Sequence, residues 1–462
     1  MNLIVFSAVW GIVLMFSGLF INRKSASVSI AVAGALLLLI VNTLEIKGWS
    51  LFTSNFSGLL QYDLYGYVFL QLILLSFLLY LLLTGSQVPA VGRHPYEYFA
   101  LMFFVLAGIG LVTFFNNLLI LFLGIEIVSI PLYILTGSDK RNLKSNEASL
   151  KYFLTGAFST GILLLGIALL YGASGSFQVD RLLTEARPGL GVFTPIGLIF
   201  ILVALGFKVS AAPFHFWTPD VYDGAPTVFT SFMAAIVKLA GFVAFANLFL
   251  YGFTEMSGKW QWPIAIMILA TLLVGNLTAV YQQSVKRMLA YSSIAQAGFM
   301  LLAVFSGNDL ARQGLLLYTA AYCVATIGIF AVLSRMSDYT YEGFNGLASR
   351  HPLLAFCLSV FLLSLAGIPL TGGFFAKYFM LASVVKTGSF LWLVIAAVVL
   401  AVISVYYYFK VIQAMYFRSP TAEQSLLIPL TPAFNILLLI AALILIALGI
   451  LPYQLLLNRL IA

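Results

Sequence analysis

Residues 193–220 read FTPIGLIFILVALGFKVSAAPFHFWTPD. An apolar run carries one lysine, Lys208, then meets Pro213 and turns into a stretch with His215, Thr218, Pro219 and Asp220. Proline cannot donate a backbone hydrogen bond, so the carbonyl of Val209, four residues back, loses its helical partner. The reading is a helix that breaks beside an ionisable group. In a membrane such a break is tolerated only around a wet cavity or a site buried in protein; in isolation it would be an ordinary proline kink. A second stretch repeats the combination. Gly367, Pro369, Gly372 and Gly373 precede Lys377 inside an apolar run from 352 to 385, too long for one unbroken crossing of about 20 residues.

Composition fixes the solvent around these breaks. Apolar residues are 62% of the 462 and charged residues 8%, against about a quarter charged in soluble domains. The chain has too little polar surface to face water, so lipid is its solvent. Fourteen spans are expected, near 2–21, 26–45, 64–84, 97–115, 117–136, 148–172, 193–213, 226–251, 262–281, 285–306, 311–335, 352–385, 389–417 and 431–455. Runs this long exclude barrel strands, and backbone in lipid must satisfy its own hydrogen bonds, so the spans are helices. The stretch Leu3–Ile21 has no charged leader and no clear cleavage site, and reads as the first span rather than a signal peptide.

The expected fold is therefore an all-α polytopic membrane protein. Its two breaks lie five spans apart, and a repeat of five crossings is odd, so its second copy inserts upside down. This divides the chain into a three-helix segment at 1–96, a first inverted repeat at 97–251 (spans four to eight), a second at 262–417 (spans nine to thirteen) and a C-terminal span at 431–462. Odd-numbered connections hold eleven Lys and Arg, and even-numbered connections with the C-terminus hold seven. That bias places the odd connections in the cytoplasm and both termini outside. The formal charge of +8 comes with no basic patch interleaved with aromatics, which argues against nucleic acid.

Placing the connecting residues isolates the chemistry. Lys151, Lys208, Lys238, Lys377 and Lys410 fall within spans, and Glu126 is the acid nearest the middle of one. An ionisable group at bilayer depth costs at least about 2.5–3.5 kcal/mol, so such groups are candidates for function. Lys410 stands near the end of its span and reads as a snorkelling lysine; Lys151 is intermediate. Glu126 wants a cationic partner, and Lys208 is the candidate; at about 4 Å such a pair interacts by about 4 kcal/mol at an effective dielectric of 20. Burial disfavours a charged lysine and a nearby carboxylate favours it, so approach or withdrawal of Glu126 would switch the charge on Lys208. His215, seven residues after Lys208, is either a packing histidine or a relay group that titrates near neutral pH. Ser292, Ser293 and Gln296 in the tenth span either hold water or tie helices together. His94 and His351 flank spans and read as solvated. Cys323 and Cys357 lie in apolar runs with spacing unsuited to a metal, and read as packing residues. No nucleotide-binding or metal-ligand motif stands in the right context.

Three motifs carry a resemblance. Gly206-Phe207-Lys208-Val209-Ser210, running into Pro213-Phe214-His215-Phe216-Trp217-Thr218-Pro219-Asp220-Val221-Tyr222-Asp223-Gly224-Ala225-Pro226, resembles the signature of the antiporter-like subunits of respiratory complex I. Val285-Lys286-Arg287-Met288-Leu289-Ala290-Tyr291-Ser292-Ser293-Ile294 and Leu365-Ala366-Gly367-Ile368-Pro369-Leu370-Thr371-Gly372-Gly373-Phe374 with Lys377 are similar to two further family hallmarks. The resemblance covers nearly the whole chain. It implies a bacterial inner-membrane subunit that conducts protons while partner subunits do the redox chemistry. Glu126 with Lys208 would be its central pair, Lys151 and Lys238 connecting groups, Lys377 an exit-side lysine, and His215 the histidine of the motif. NAD, FMN, iron–sulfur clusters and quinone would bind the partners, and no cofactor this chain. A related reading is a subunit of a multi-subunit Na⁺/H⁺ antiporter of the Mrp type, against which the Ala225-Pro226 ending speaks. A purely structural spacer is a third.

Overall fold

A computed structural model describes residues 1–49, 51–52, 58–182, 191–253, 256–420 and 430–451. Twelve helices within them are long and apolar enough to cross a membrane. In chain order the helices are α1 (Asn2–Phe20), α2 (Lys24–Ile46), α3 (Leu64–Thr84), α4 (Pro95–Phe114), α5 (Leu118–Thr136) and α6 (Leu143–Ser174). They continue with α7 (Phe193–Lys208), α8 (Trp217–Gly224), α9 (Thr227–Asn247), α10 (Ser257–Val280), α11 (Val285–Ser306) and α12 (Asp309–Leu333). The last four are α13 (Pro352–Ala366), α14 (Gly372–Val385), α15 (Leu391–Phe417) and α16 (Pro432–Ile450). Two crossings come in pieces, α7 with α8 and α13 with α14, at the two places where the sequence reading puts breaks. With these the expected fourteen crossings are present. The expected end of the last span, beyond 451, lies outside the described residues.

Polar side chains start several of these helices. Asp63, Asn117, Asn142, Asn308 and Thr431 each accept a hydrogen bond from a backbone N–H of the first turn, satisfying donors that have no partner within the helix. Burial then sorts the helices. The apolar windows of α9, α11 and α12 are 89%, 94% and 94% buried, while those of α1, α15 and α16 are 22%, 33% and 33%. The outer helices turn Phe16, Phe158, Ile266, Ile395 and Val402 outward, as a lipid-facing surface requires. The inner helices α9, α11 and α12 are where an ionisable side chain can be kept from lipid. Cys323 and Cys357 are buried and free.

The helix α9 is not regular. Met233–Val237 forms a π-helical turn, a geometry often found at functional sites, and Lys238 follows it directly.

Candidate functional site

The first break is built from the carboxyl end of α7. That helix ends on Lys208; Ser210 adopts a left-handed conformation at φ 64°, and α8 begins at Trp217. The released carbonyls find new partners. Ala211 N–H donates to the Gly206 carbonyl at 2.8 Å and the Trp217 indole to the Phe207 carbonyl at 3.0 Å. Ala212 N–H donates across to Thr271 on α10 at 2.9 Å, which ties the break to the neighbouring helix. Ser210 Oγ, His215 Nδ1 and Thr218 Oγ1 are buried here without a partner. Buried polar atoms are rarely left so, and ordered water is the usual partner of such groups.

Lys208 Nζ donates to Ser129 Oγ on α5 at 2.8 Å, and Ser129 in turn donates to the Ile125 carbonyl at 2.7 Å. Glu126 instead accepts from Thr160 on α6 at 2.7 Å. Among the described residues no ion pair joins Glu126 to Lys208, which corrects the expectation of direct contact. The reason is geometric. Glu126 and Ser129 stand three residues apart on one face of α5, and the hydroxyl takes the lysine while the carboxylate turns to α6. His215 sits in the gap between α7 and α8, 7% exposed. The helix that would have aligned it with Lys208 does not continue, and no hydrogen bond joins the two.

Lys151 is less central than the other lysines. Its Nζ lies 2.6 Å from Glu147 and 2.9 Å from Asp220, with the side chain 43% exposed. Asp220 also meets Arg287 at 2.9 Å. This part-exposed cluster joins α6, α8 and α11.

Lys238 is 2% exposed. Its Nζ donates to the Ser293 hydroxyl at 2.8 Å and the Ser293 carbonyl at 3.1 Å, and stands 5.7 Å from the Tyr222 ring centre. Beside it, Ser292 shares a 2.5 Å hydrogen bond with the Tyr408 hydroxyl. Gln296 donates to Tyr408 at 3.2 Å and to the Leu365 carbonyl at 2.8 Å, and accepts from Tyr318. Ser292, Ser293 and Gln296 thus bond across helices, and Ser293 also contacts a lysine.

The second break starts at Gly367, whose φ of +82° is one that glycine adopts without penalty. Its N–H and that of Ile368 close onto the carbonyls of Leu363 and Ser364, a left-handed helix end. Lys377, 7% exposed, stands in the second turn of α14 and reaches back. Its Nζ donates at 2.9 Å to the carbonyl of Ala366, the last residue of α13, and lies 4.8 Å from the Phe299 ring centre. Lys208 and Lys377 therefore approach their breaks from opposite half-helices, yet both lie at the carbonyl end of the first one. Lys410, treated as a helix-end lysine, places its Nζ 4.1 Å from the ring centre of Tyr341 in the connection after α12.

Two further cations, Lys286 and Arg335, stand at the edges of the expected spans 285–306 and 311–335 and count there among the connection residues. Both are buried, at 3% and 5% exposure. Lys286 Nζ donates to the carbonyls of Asp223 at 2.9 Å and Ala225 at 2.7 Å, at the carboxyl end of α8. Arg335 donates to the Ala331 carbonyl at 2.9 Å and the Leu83 carbonyl at 3.3 Å, near the ends of α12 and α3. Hydropathy could not distinguish them from topology residues, because each stands at a helix boundary.

Comparison with known proteins covers most of the chain. Residues 116–404 match the family model described as NADH:quinone oxidoreductase/Mrp antiporter, TM. The chain is 40% identical over 386 residues to NADH-quinone oxidoreductase subunit N of Trichlorobacter lovleyi, spanning 82% of this chain and 79% of that one. It is 37% identical over 463 residues to subunit N of Flavobacterium psychrophilum, spanning 98% of both. Among solved structures it is similar to a chain of respiratory complex I from Thermus thermophilus with bound aureothin, with a TM-score of 0.83 and 34% identity over 97% of each chain. A chain of the Mrp complex from Dietzia sp. shares the fold, with a TM-score of 0.84 at 20% identity over 99% of this chain and 95% of that one.

Proposed function

The chain belongs to the family of NADH-quinone oxidoreductase subunit N, and from that premise we propose that it moves protons through the membrane along its row of buried lysines. The observation that carries this reading is the placement of Lys208, Lys238 and Lys377. Each is held within the bundle by neutral hydroxyl or carbonyl oxygens, so each can lose and regain its proton without stranding an opposite charge. Glu126, bonded to Thr160, sets the potential at Lys208 from a short distance rather than by contact. His215 and its unpartnered neighbours form the wet side of the first break. Lys151, paired with Asp220 and Glu147, serves as the connecting group nearest the surface.

On this reading the chain is the non-redox part of a proton-translocating enzyme. NAD, flavin, iron–sulfur clusters and quinone lie on partner subunits, whose redox steps drive the row from outside. The units at 97–251 and 262–417 work as inverted repeats, each contributing one broken crossing. The protein is a multi-pass component of a bacterial inner membrane with both termini periplasmic. An Mrp-type antiporter role has the weaker support, since that likeness is one of fold at 20% identity.

The test uses the assembled complex in membranes. Lys208→Ala and Glu126→Ala are expected to leave assembly intact while NADH-driven proton pumping and coupled quinone reduction fall. Normal turnover and pumping in either assembled variant would remove that residue from the relay.

A further inference from the structure

Among the described residues, no continuous hydrogen-bonded chain joins Lys238 to Lys377. The bonded route beside them runs Ser292–Tyr408–Gln296–Tyr318. It passes through the carboxamide of Gln296, which is held by Tyr318 on its oxygen and by Leu365 and Tyr408 on its nitrogen. An amide N–H does not release its proton at ordinary basicity, so this route orders the helices but does not conduct.

A second connection lies alongside. The Tyr322 hydroxyl on α12 is buried with no hydrogen-bond partner, and so is that of Thr326, one turn further on the same face. The Tyr322 hydroxyl stands within interaction range of Ser293 and Thr326, without a hydrogen bond of full geometry to either. The residue lines two small cavities. The first, of ≈ 10 Å³, is lined by Ser292, Ser293, Tyr322 and Thr326 among apolar residues. The second, of ≈ 10 Å³, is lined by Gln296, Tyr318, Tyr322, Ser364 and Lys377. That is about the room one water's centre needs, and each wall offers the polar partners that a buried water requires. The first cavity touches Ser293, the group that holds Lys238; the second touches Lys377 itself. Tyr322 and Leu365 are the lining residues common to both, and of the two Tyr322 alone carries a polar side chain.

We propose that the Tyr322 hydroxyl is the gate between the Lys238 and Lys377 sites, passing protons between one water in each cavity. In each passage the hydroxyl gives its proton to the oxygen on one side and takes a proton from the other, so tyrosine is regenerated unchanged. Rotation of the O–H about its C–O bond resets the gate. The row is open or closed by which way that bond points, toward Ser293 and Thr326 in the first cavity or toward the second.

The inference rests on reading the lysines as a proton row, and the test separates the two. Tyr322→Phe keeps the ring and removes a hydroxyl that has no partner, so a packing role predicts unchanged assembly, stability and activity. As a gate, the assembled variant is expected to lose about tenfold or more in NADH-driven proton pumping, with unchanged thermal stability and a larger ratio of rates in H₂O and D₂O. A loosened structure would slow turnover without raising that ratio, and that result overturns the gate. Normal pumping by Tyr322→Phe, beside inactive Lys208→Ala and Lys377→Ala complexes, overturns the gate and leaves the row standing. Normal pumping by the lysine variants as well overturns both.

Discussion

Replacing Lys286 by methionine tests what holds the broken crossing in place. Its ammonium donates at 2.9 Å to the Asp223 carbonyl and 2.7 Å to the Ala225 carbonyl, at the carboxyl end of the eight-residue helix α8. Hydrogen bonds to a charged group contribute about 1.5–3 kcal/mol each. Removing the ammonium also relieves its own desolvation, which offsets part of the loss, so the net cost to α8 is about 3 kcal/mol. Since every 1.4 kcal/mol is tenfold in an equilibrium, local opening of α8 should become roughly a hundredfold more frequent. Hydrogen–deuterium exchange on the assembled complex, followed by mass spectrometry of peptides spanning 217–227, reads this directly. Exchange there should accelerate on about that scale, while Lys144→Met, at an exposed position, leaves it alone. Lys286→Arg should restore much of the protection. Unchanged exchange across 217–225 in an assembled Lys286→Met complex would refute the idea that this lysine anchors α8.

Two further outcomes are expected. Ser129→Ala removes the hydroxyl that holds Lys208, an interaction of about 1.5–3 kcal/mol; proton pumping by the assembled complex should drop and Ser129→Thr should recover it, whereas wild-type pumping by the alanine variant would exclude Ser129. Gly367→Ala puts a side chain on a residue at φ +82° with its Cβ 2.8 Å from Lys377 Cδ, adding about 1–2 kcal/mol of backbone strain; the temperature of thermal inactivation and the pumping rate should both fall, and no change in either would contradict the tight fit of Lys377 against the turn.

Much of this arrangement is legible in the chain because membranes punish exceptions. The break at Pro213, the break at Gly367–Gly373 and the lysines beside them stand out against runs of Leu, Ile, Val and Phe, where any charge or helix breaker carries a cost. Partnership is less legible. Direct pairing of Glu126 with Lys208 follows from their charges, yet the outcome turned on Ser129 being one turn from Glu126 on α5 and Thr160 facing it from α6. Neither hydroxyl differs, in sequence, from the many serines and threonines that bond only to their own helix, as Thr84 and Thr113 do. Lys286 and Arg335 were hidden for the opposite reason: a basic residue at a helix boundary looks the same whether it faces headgroups or turns inward to a neighbouring helix end.

The hidden residues explain how a chain with 23 basic and 15 acidic side chains buries so many cations with one acid near mid-span. A helix end exposes carbonyls that have no donor within the helix, equivalent to roughly half a negative charge. Breaking a crossing inside the membrane creates such an end at depth, where a carboxylate would otherwise be needed. Lys377 bonds to the last carbonyl of α13, Lys286 to the end of α8, and Arg335 to the last turn of α12, whereas Lys208, the last residue of α7, donates to the Ser129 hydroxyl on α5. A carbonyl end cannot be protonated, so it stabilises the cation without competing for the proton. Carboxylates in the same places would trap charge as fixed ion pairs, as Asp220 does between Lys151 and Arg287 at the part-exposed edge. The breaks therefore hold lysines against neutral oxygens; on the proposed reading a proton can still leave from there, and Glu126, bonded to Thr160, is the carboxylate that influences when it does.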